Sequence, residues 1–324
     1  MHEGKQHGLN DHIEWILKVT EDELDLRSYS LVIIPDAGSN DTIECTELKE
    51  HNIKTIVLDH HMCDVTNPDA IVINNQLSDY PNKDFSGAGI VWQFCRFLDE
   101  LLQTNYADNY LDLVALGNCA DMMSMTSIET KHVINKGFKN LKNPFFIHLS
   151  EKNEYSMKGK ITHTSVAFYI APYINAICRS GSIEEKNITF ESMLKHKAFI
   201  ILPSTKRGHA LGETEQLVEQ AMRVVTNVKA RQTKAQDAGL ELLENEIVKK
   251  DLLNHKVLLF LLEPGQIDRN IAGLSANKLM AKYQRPVCVL TRGENSYSGS
   301  ARGCEKAGVL NFKQICADTG VTEF

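Results

Sequence analysis

The segment KTIVLDHHMC, Lys54–Cys63, runs an apolar strand directly into an aspartate and two adjacent histidines. Carboxylate and imidazole without thiolate is the donor chemistry of a hard or borderline divalent ion such as manganese or magnesium. Consecutive side chains on a strand or its exit turn point to opposite sides. His60 and His61 are therefore expected to point apart and to serve two different partners. Two further aspartates have comparable settings: Asp36 follows the apolar run Leu31–Ile34 and Pro35, and Asp121 closes ALGNCAD at the end of a helical stretch. The blander alternative stays open, with Asp36 and Asp59 capping the helices after them, the histidines making ordinary polar contacts, and Asp121 a solvated helix-end carboxylate.

These residues need elements to position them. Between the two apolar runs, NDTIECTELKEHN carries apolar residues at helical spacing with Asn40 or Asp41 as N-cap. Strand, helix and strand in that order imply a parallel pair. A third run, DAIVIN, extends the pattern, so the first part reads as α/β, a doubly wound and mostly parallel sheet with helices on both faces. Asp36 and Asp59 would then open into the crevice outside the carboxyl ends of the strands, where ligands gather in such sheets.

SGAGIVWQFCRFLDELL begins a helix with Ser86 at its cap, and YADNYLDLVALGNCADM forms another. From Thr214 to about Lys250 the text is charged and helical, as a long connector between domains would be. After Asn254 it changes to HKVLLFLLE, NIAGLSANKLMAKYQ and RPVCVLT, a second and smaller α/β domain. The implied domains are 1–213, a connecting helix over 214–253, and 254–324.

A length of 324 residues makes two domains the prior expectation, and 43% hydrophobic with 7% aromatic residues describes a soluble globular chain. No window reaches the apolar length of a membrane span, and the first residues lack a signal-peptide core. A cytoplasmic location is expected. The eight cysteines show no zinc-type spacing, and the net charge of −7 argues against a nonspecific nucleic-acid coat while allowing a local basic groove.

Other candidates are ligand contacts. Ser86 and Gly87 open a helix whose free amides suit an anion, although Ser86 as a plain cap with glycines for close packing explains them equally well. Asn175 and Arg179 lie one helical turn apart and could grip a phosphate together, or form a surface pair with no role. Arg302 follows YSGSA, where small residues let a phosphate approach.

Taken together, IIPDAG, VLDHH, SGAGIVWQF and ALGNCAD resemble the second, third and fourth motifs of the DHH phosphoesterase superfamily, and the pattern is most similar to its RecJ-like single-strand exonucleases. INAICRSG, VVTNVKARQ, IAGLSANKLMAKYQRPVCVL and SGSARG extend the resemblance over nearly the whole chain. The resemblance implies Asp36, His60 and Asp121 as metal ligands, Asp59 orienting its neighbours, and His61 facing the scissile phosphate. It also implies Ser86, Gly87, Asn175, Arg179 and Arg302 as substrate contacts, the last from a DHH-associated domain.

The implied activity is metal-dependent hydrolysis of single-stranded DNA from the 5′ end, by water activated at two Mn2+ or Mg2+ ions, in DNA repair or recombination. Lys229, Arg231, Lys234, Arg285 and Arg302 would line a groove for the strand. The family's first motif, an aspartate-bearing strand before Asp36, is not recognisable, and neither is its later glycine-glycine-histidine segment. The chain therefore reads as a piece of a longer protein or half of a split one, with a two-ion site short of ligands and weak activity alone. His2, His7 and Asp11 could stand in, although nothing in their spacing favours it. A missing amino-terminal segment or a replication or repair protein becomes a candidate partner. Hydrolysis of short oligonucleotides or cyclic dinucleotides, and nucleic-acid or partner binding without cleavage, are the alternatives.

Overall fold

Three short apolar runs pair as β1 (Leu31–Pro35), β2 (Lys54–Asp59) and β3 (Ile71–Asn74) in a computed structural model that describes residues 8–21, 29–63, 65–77, 79–309 and 311–320. All pairings are parallel and the order is β1-β2-β3, with Ile33 opposite Ile56, and Ile56 opposite Ile71. Parallel register sends every strand's carboxyl end to the same edge. α1 (Ile13–Glu21) precedes β1, and α2 (Thr42–Glu50) makes the crossover to β2.

Of the two expected caps, Asn40 or Asp41, the N-cap of α2 is Asp41, but its side chain makes no cap bond and instead accepts the Leu9 amide at 2.7 Å, tying the segment before α1 to the start of α2. One sheet face is sealed by Ile13 and Ile16 of α1 and Cys45 and Leu48 of α2 against Ile34 and Val57. On the other face Leu58 packs against Phe85, Ile90 and Trp92. Leu31 and Ile33 of β1 remain exposed there.

α3 (Gly87–Leu102) carries that second layer, and its cap Ser86 accepts the Gly89 amide. A 3-10 turn, Ala107–Tyr110, begins the next helical stretch, and only Leu111–Ala120 is α4. α5 (Ile128–Lys139), α6 (Pro144–Lys152), α7 (Glu154–Met157), α8 (His163–Tyr169), α9 (Ala171–Ser180) and α10 (Ile183–Met193) follow. α8 and α9 are separated at Ile170, where Pro172 supplies no amide donor to the preceding turn.

The expected long connector also starts later than its composition indicates. Thr214–Gln216 is β5, antiparallel to β4 (Ile201–Pro203), because the buried Glu215 carboxylate is claimed by Arg223 and the Thr205 amide. α11 then runs Leu217–Lys249. The chain divides into two compact units, Met1–Thr226 and Asn227–Phe324.

In the second unit β6 (Leu258–Leu262), α12 (Arg269–Tyr283) and β7 (Val287–Arg292) form a parallel crossover pair, and β8 (Tyr297–Arg302) adds antiparallel to β7. Its core joins Leu243 and Ile247 of α11 with Leu258, Phe260, Ile271, Leu279, Val287 and Val289. α13 (Phe312–Ala317) closes the described chain. No helix among the described residues is long and apolar enough to cross a membrane.

Candidate metal centre

Asp59 is the last residue of β2 and is 2% exposed, so its charge must be satisfied by the protein. Its Oδ1 accepts the His60 amide at 2.7 Å, the His61 amide at 3.2 Å and His61 Nδ1 at 2.7 Å, while Oδ2 accepts the Ser39 amide at 3.2 Å. Burial alone would raise this carboxyl; the bonds from the His61 ring, Ser39 and the two backbone amides outweigh it and hold the group well below the usual carboxylate range. In return the Asp59 carboxylate raises the His61 imidazole, against the lowering effect of burial.

That same carboxylate corrects the expected divergence of the histidines. β2 has ended at Asp59, and three donors converging on one oxygen curl the turn, so strand alternation no longer applies. The two rings lie side by side, centroids 4.5 Å apart and tilted by 56°. His60 is mostly enclosed and His61 is half exposed, with 11% and 49% of their side chains accessible.

Asp36 sits just past β1, its amide donating to the Leu58 carbonyl at 2.8 Å, and it adopts φ +63°, a left-handed conformation that aspartate tolerates better than most residues. His60 Nε2 lies 3.2 Å from Asp36 Oδ1 and 3.9 Å from Asp121 Oδ2. The three carboxylate and imidazole groups from separate loops thus share one pocket. Ligand atoms of Asp36, His60 and His61 all fall within 4.8 Å of one another, which makes His61 a fourth potential donor. Asp121 is raised by partial desolvation and by the Asp36 charge, and is opposed by His60, His61 and Arg179.

A divalent cation fits this donor set. Asp36 Oδ1 is buried with His60 Nε2 3.2 Å away, yet makes no hydrogen bond among the described residues, a state for a carboxylate oxygen that a bound cation would relieve. Close approach is built in at Gly87, where a Cβ would overlap Asp36 Oδ1. Gly87 therefore borders the pocket.

Ser86 does not face it: fully buried, its hydroxyl takes the Gly89 amide at 3.4 Å and its own amide donates to Asn118 Oδ1 at 3.2 Å. On α9, Asn175 Nδ2 donates to the Ala120 carbonyl at 3.3 Å, next to Asp121, and Arg179 is near enough to favour the Asp121 anion.

Of the residues expected to grip a nucleic-acid backbone, several belong to the second unit. Arg302 donates to the Ala301 carbonyl and packs against α12 at Gly273, where a Cβ would meet its guanidinium at 2.8 Å. Arg285 is tied to the Leu253 and His255 carbonyls, so its fork holds the turn before β6. Lys229 is half-buried, its ammonium lowered by burial and by neighbouring Lys278. Arg231 and Lys234 are exposed on α11. Asp11 lies in the exposed turn before α1, whereas His2 and His7 fall outside the described residues.

Sequence reasoning missed Asn74 and Ser39. Asn74 Nδ2 donates to Ser39 Oγ and to the His61 carbonyl, both at 2.9 Å, from the carboxyl end of β3. Their only signal was an asparagine ending the third apolar run. It also missed an apolar trough of about 600 Å3 beside Asp36, lined by Pro35, Val91, Trp92, Leu98, Tyr106 and Val114 among others. The Trp92 indole nitrogen is buried without a hydrogen-bond partner among the described residues.

Three comparisons bear on this geometry. A family model described as the DHH family, N-terminal domain, matches residues 5–118. The sequence is 38% identical over 99% of its length to a protein of Bacillus subtilis (strain 168) named as a putative SPbeta prophage-derived single-strand DNA-specific exonuclease, YorK, covering 54% of that protein. It is 25% identical over 90% of its length to the single-stranded-DNA-specific exonuclease RecJ of the same organism, covering 34% of it. The chain therefore spans about half the length, or less, of these curated relatives. In fold it matches a crystal structure of exonuclease RecJ bound to manganese, with TM-score 0.66 and 22% identity over 89% of this chain and 65% of that one. A RecJ structure in complex with Mn2+ from Thermus thermophilus also gives TM-score 0.66, covering 87% of this chain and 38% of that one.

Proposed function

We propose that the chain, whose residues 5–118 match a DHH-family model and which is similar along most of its length to RecJ-type single-strand DNA exonucleases, provides the phosphodiesterase centre of such an exonuclease. The substrate of this reading is single-stranded DNA, attacked from its 5′ end, and the ion is manganese or magnesium. The convergence of Asp36 and Asp121 on His60 Nε2, with the buried Asp36 Oδ1 forming no hydrogen bond among the described residues, carries it.

In this reading Asp36, His60 and Asp121 hold the ion. When bound, it would lower the pKa of a coordinated water and offset charge on the phosphate. Asp59 fixes the turn and keeps the His61 ring oriented through Nδ1, and in the protonated imidazolium that Asp59 favours, Nε2 donates toward a phosphate oxygen. Asn175 and Arg179, beside Asp121, bind the phosphodiester on the far side. The second unit acts as the DHH-associated domain and meets the strand through Arg302.

Three or four donors suit one ion better than two, since two divalent cations bring four positive charges into the pocket. Beside Asp36, β1 has no outer neighbour among the described strands, Leu31 and Ile33 are exposed, and the apolar trough reaches Pro35 at the end of the same strand. Those observations favour a further strand, from the same polypeptide or another, pairing with β1 and delivering carboxylates at its end. Without that strand the chain would bind nucleic acid or a partner and cleave slowly.

The test is manganese-dependent digestion of end-labelled single-stranded DNA by this chain, alone and with the amino-terminal part of a relative supplied. Release of labelled mononucleotide from the 5′ end only when both pieces are present supports the reading; faster turnover of a dinucleotide than of a long strand would overturn it. His61→Ala in the active assembly is expected to lower turnover at least about a hundredfold, with Mn2+ still bound. Unchanged turnover would remove His61 from the chemistry.

A further inference from the structure

We propose that Asn74 is a positioning residue that sets the path of the His60–His61 turn and thereby the affinity of the pocket for a divalent ion. The inference rests on the metal-centre reading above. Asn74 ends β3, in register beside Asp59 of β2, and is buried.

Its amide is fully employed. Both Nδ2 hydrogens are committed, one to Ser39 Oγ and one to the His61 carbonyl, each at 2.9 Å, and Oδ1 accepts the Gln76 amide at 2.8 Å. Only asparagine at this reach offers two donors and an acceptor in that order.

These bonds close a ring across the exits of all three strands. Ser39, past β1, donates its amide to Asp59 Oδ2; Asp59 receives the His61 ring and both histidine amides; the His61 carbonyl returns to Asn74. Ser39, Asp59 and Asn74 are all buried, so losing one partner strands polar groups that water cannot reach.

His60 is held to the ring by its amide on Asp59, and its ring follows the direction of the turn toward Asp36 and Asp121. A shift of the turn therefore moves a donor atom away from two carboxylates at once. Outer partners of this kind tune metal affinity by about tenfold or more.

The experiment is calorimetric titration of the full chain with Mn2+ alone, at a temperature where circular dichroism shows each variant folded. Asn74→Ala is expected to weaken Mn2+ binding by about tenfold. Ser39→Ala, which removes one acceptor and keeps the His61 contact, should weaken it by about threefold, and it carries the test alone if Asn74→Ala does not fold. Ile53→Val, a change in the core cluster one residue before β2, should lower the melting temperature and leave the affinity unchanged, which a purely structural role for Asn74 would mimic. Parent-like affinity in Asn74→Ala or, failing that, in Ser39→Ala, while His60→Ala abolishes binding, overturns the positioning role alone. Parent-like affinity in His60→Ala as well overturns the metal centre and the proposal with it.

Discussion

The molecule builds the same local topology twice and gives the two copies different chemistry. β1-α2-β2 and β6-α12-β7 are both parallel strand pairs joined by a crossover helix. At the carboxyl end of the first pair, Asp59 is buried under four hydrogen bonds and Asp36 takes a left-handed backbone toward His60. At the corresponding end of the second, Glu263 meets Arg292 at 3.6 Å with both side chains mostly exposed, and Asp268 simply caps α12. Topology thus selects where charged side chains gather, whereas burial decides whether they form a centre or an ordinary solvated ion pair.

The sharpest way to break this contrast is Asp59→Ala. It strands the His60, His61 and Ser39 amides, and is expected to cost about 3 kcal/mol in denaturant unfolding together with Mn2+ binding. A loss no larger than that of an exposed aspartate would erase the difference between the two strand ends.

Glu215→Gln asks whether burial matters equally away from the pocket. Its carboxylate is inaccessible and receives Arg223 and the Thr205 amide, so the substitution should cost about 2 kcal/mol. Arg223 holds the Glu215 carboxyl below its ordinary value, with the Thr205 amide and Lys206 adding to it against burial. The stabilisation is therefore complete above the unfolded-state value and fades as pH falls from about 4.5 toward the lower folded-state value. A parent and variant whose stability difference stays constant on acidification would contradict it.

Gly87→Ala tests close approach, since the new methyl must displace Asp36; Mn2+ affinity should fall by about tenfold, equivalent to ~1.4 kcal/mol, by calorimetry. Smallest of all, Glu263→Gln in the second unit should change unfolding by no more than about 0.5 kcal/mol.

Much of this was legible before any coordinates. The apolar runs at β1, β2 and β3 and the alternation with helical text gave the parallel α/β character, and Asp36, His60 and Asp121 were candidates from residue type and position at element ends. Ser86 was legible as a cap, and its burial assigns it to the helix rather than to the pocket. Asn74 and Ser39 were not legible, because an asparagine ending a strand and a serine after a glycine are common turn residues; their role arises from pairing partners far apart in sequence. The histidine arrangement was read from strand alternation, which holds only while the ladder continues.

The order of residues alone determined which side chains reach the strand ends, since hydrophobic period and turn chemistry are local properties of the chain. Three-dimensional packing decided which of them meet. His60 comes within reach of Asp36 because parallel register aligns the exits of β1 and β2 and a buried carboxylate draws the turn closed, and of Asp121 because α4 ends beside them; neither a register nor a desolvated charge exists until the strands have paired.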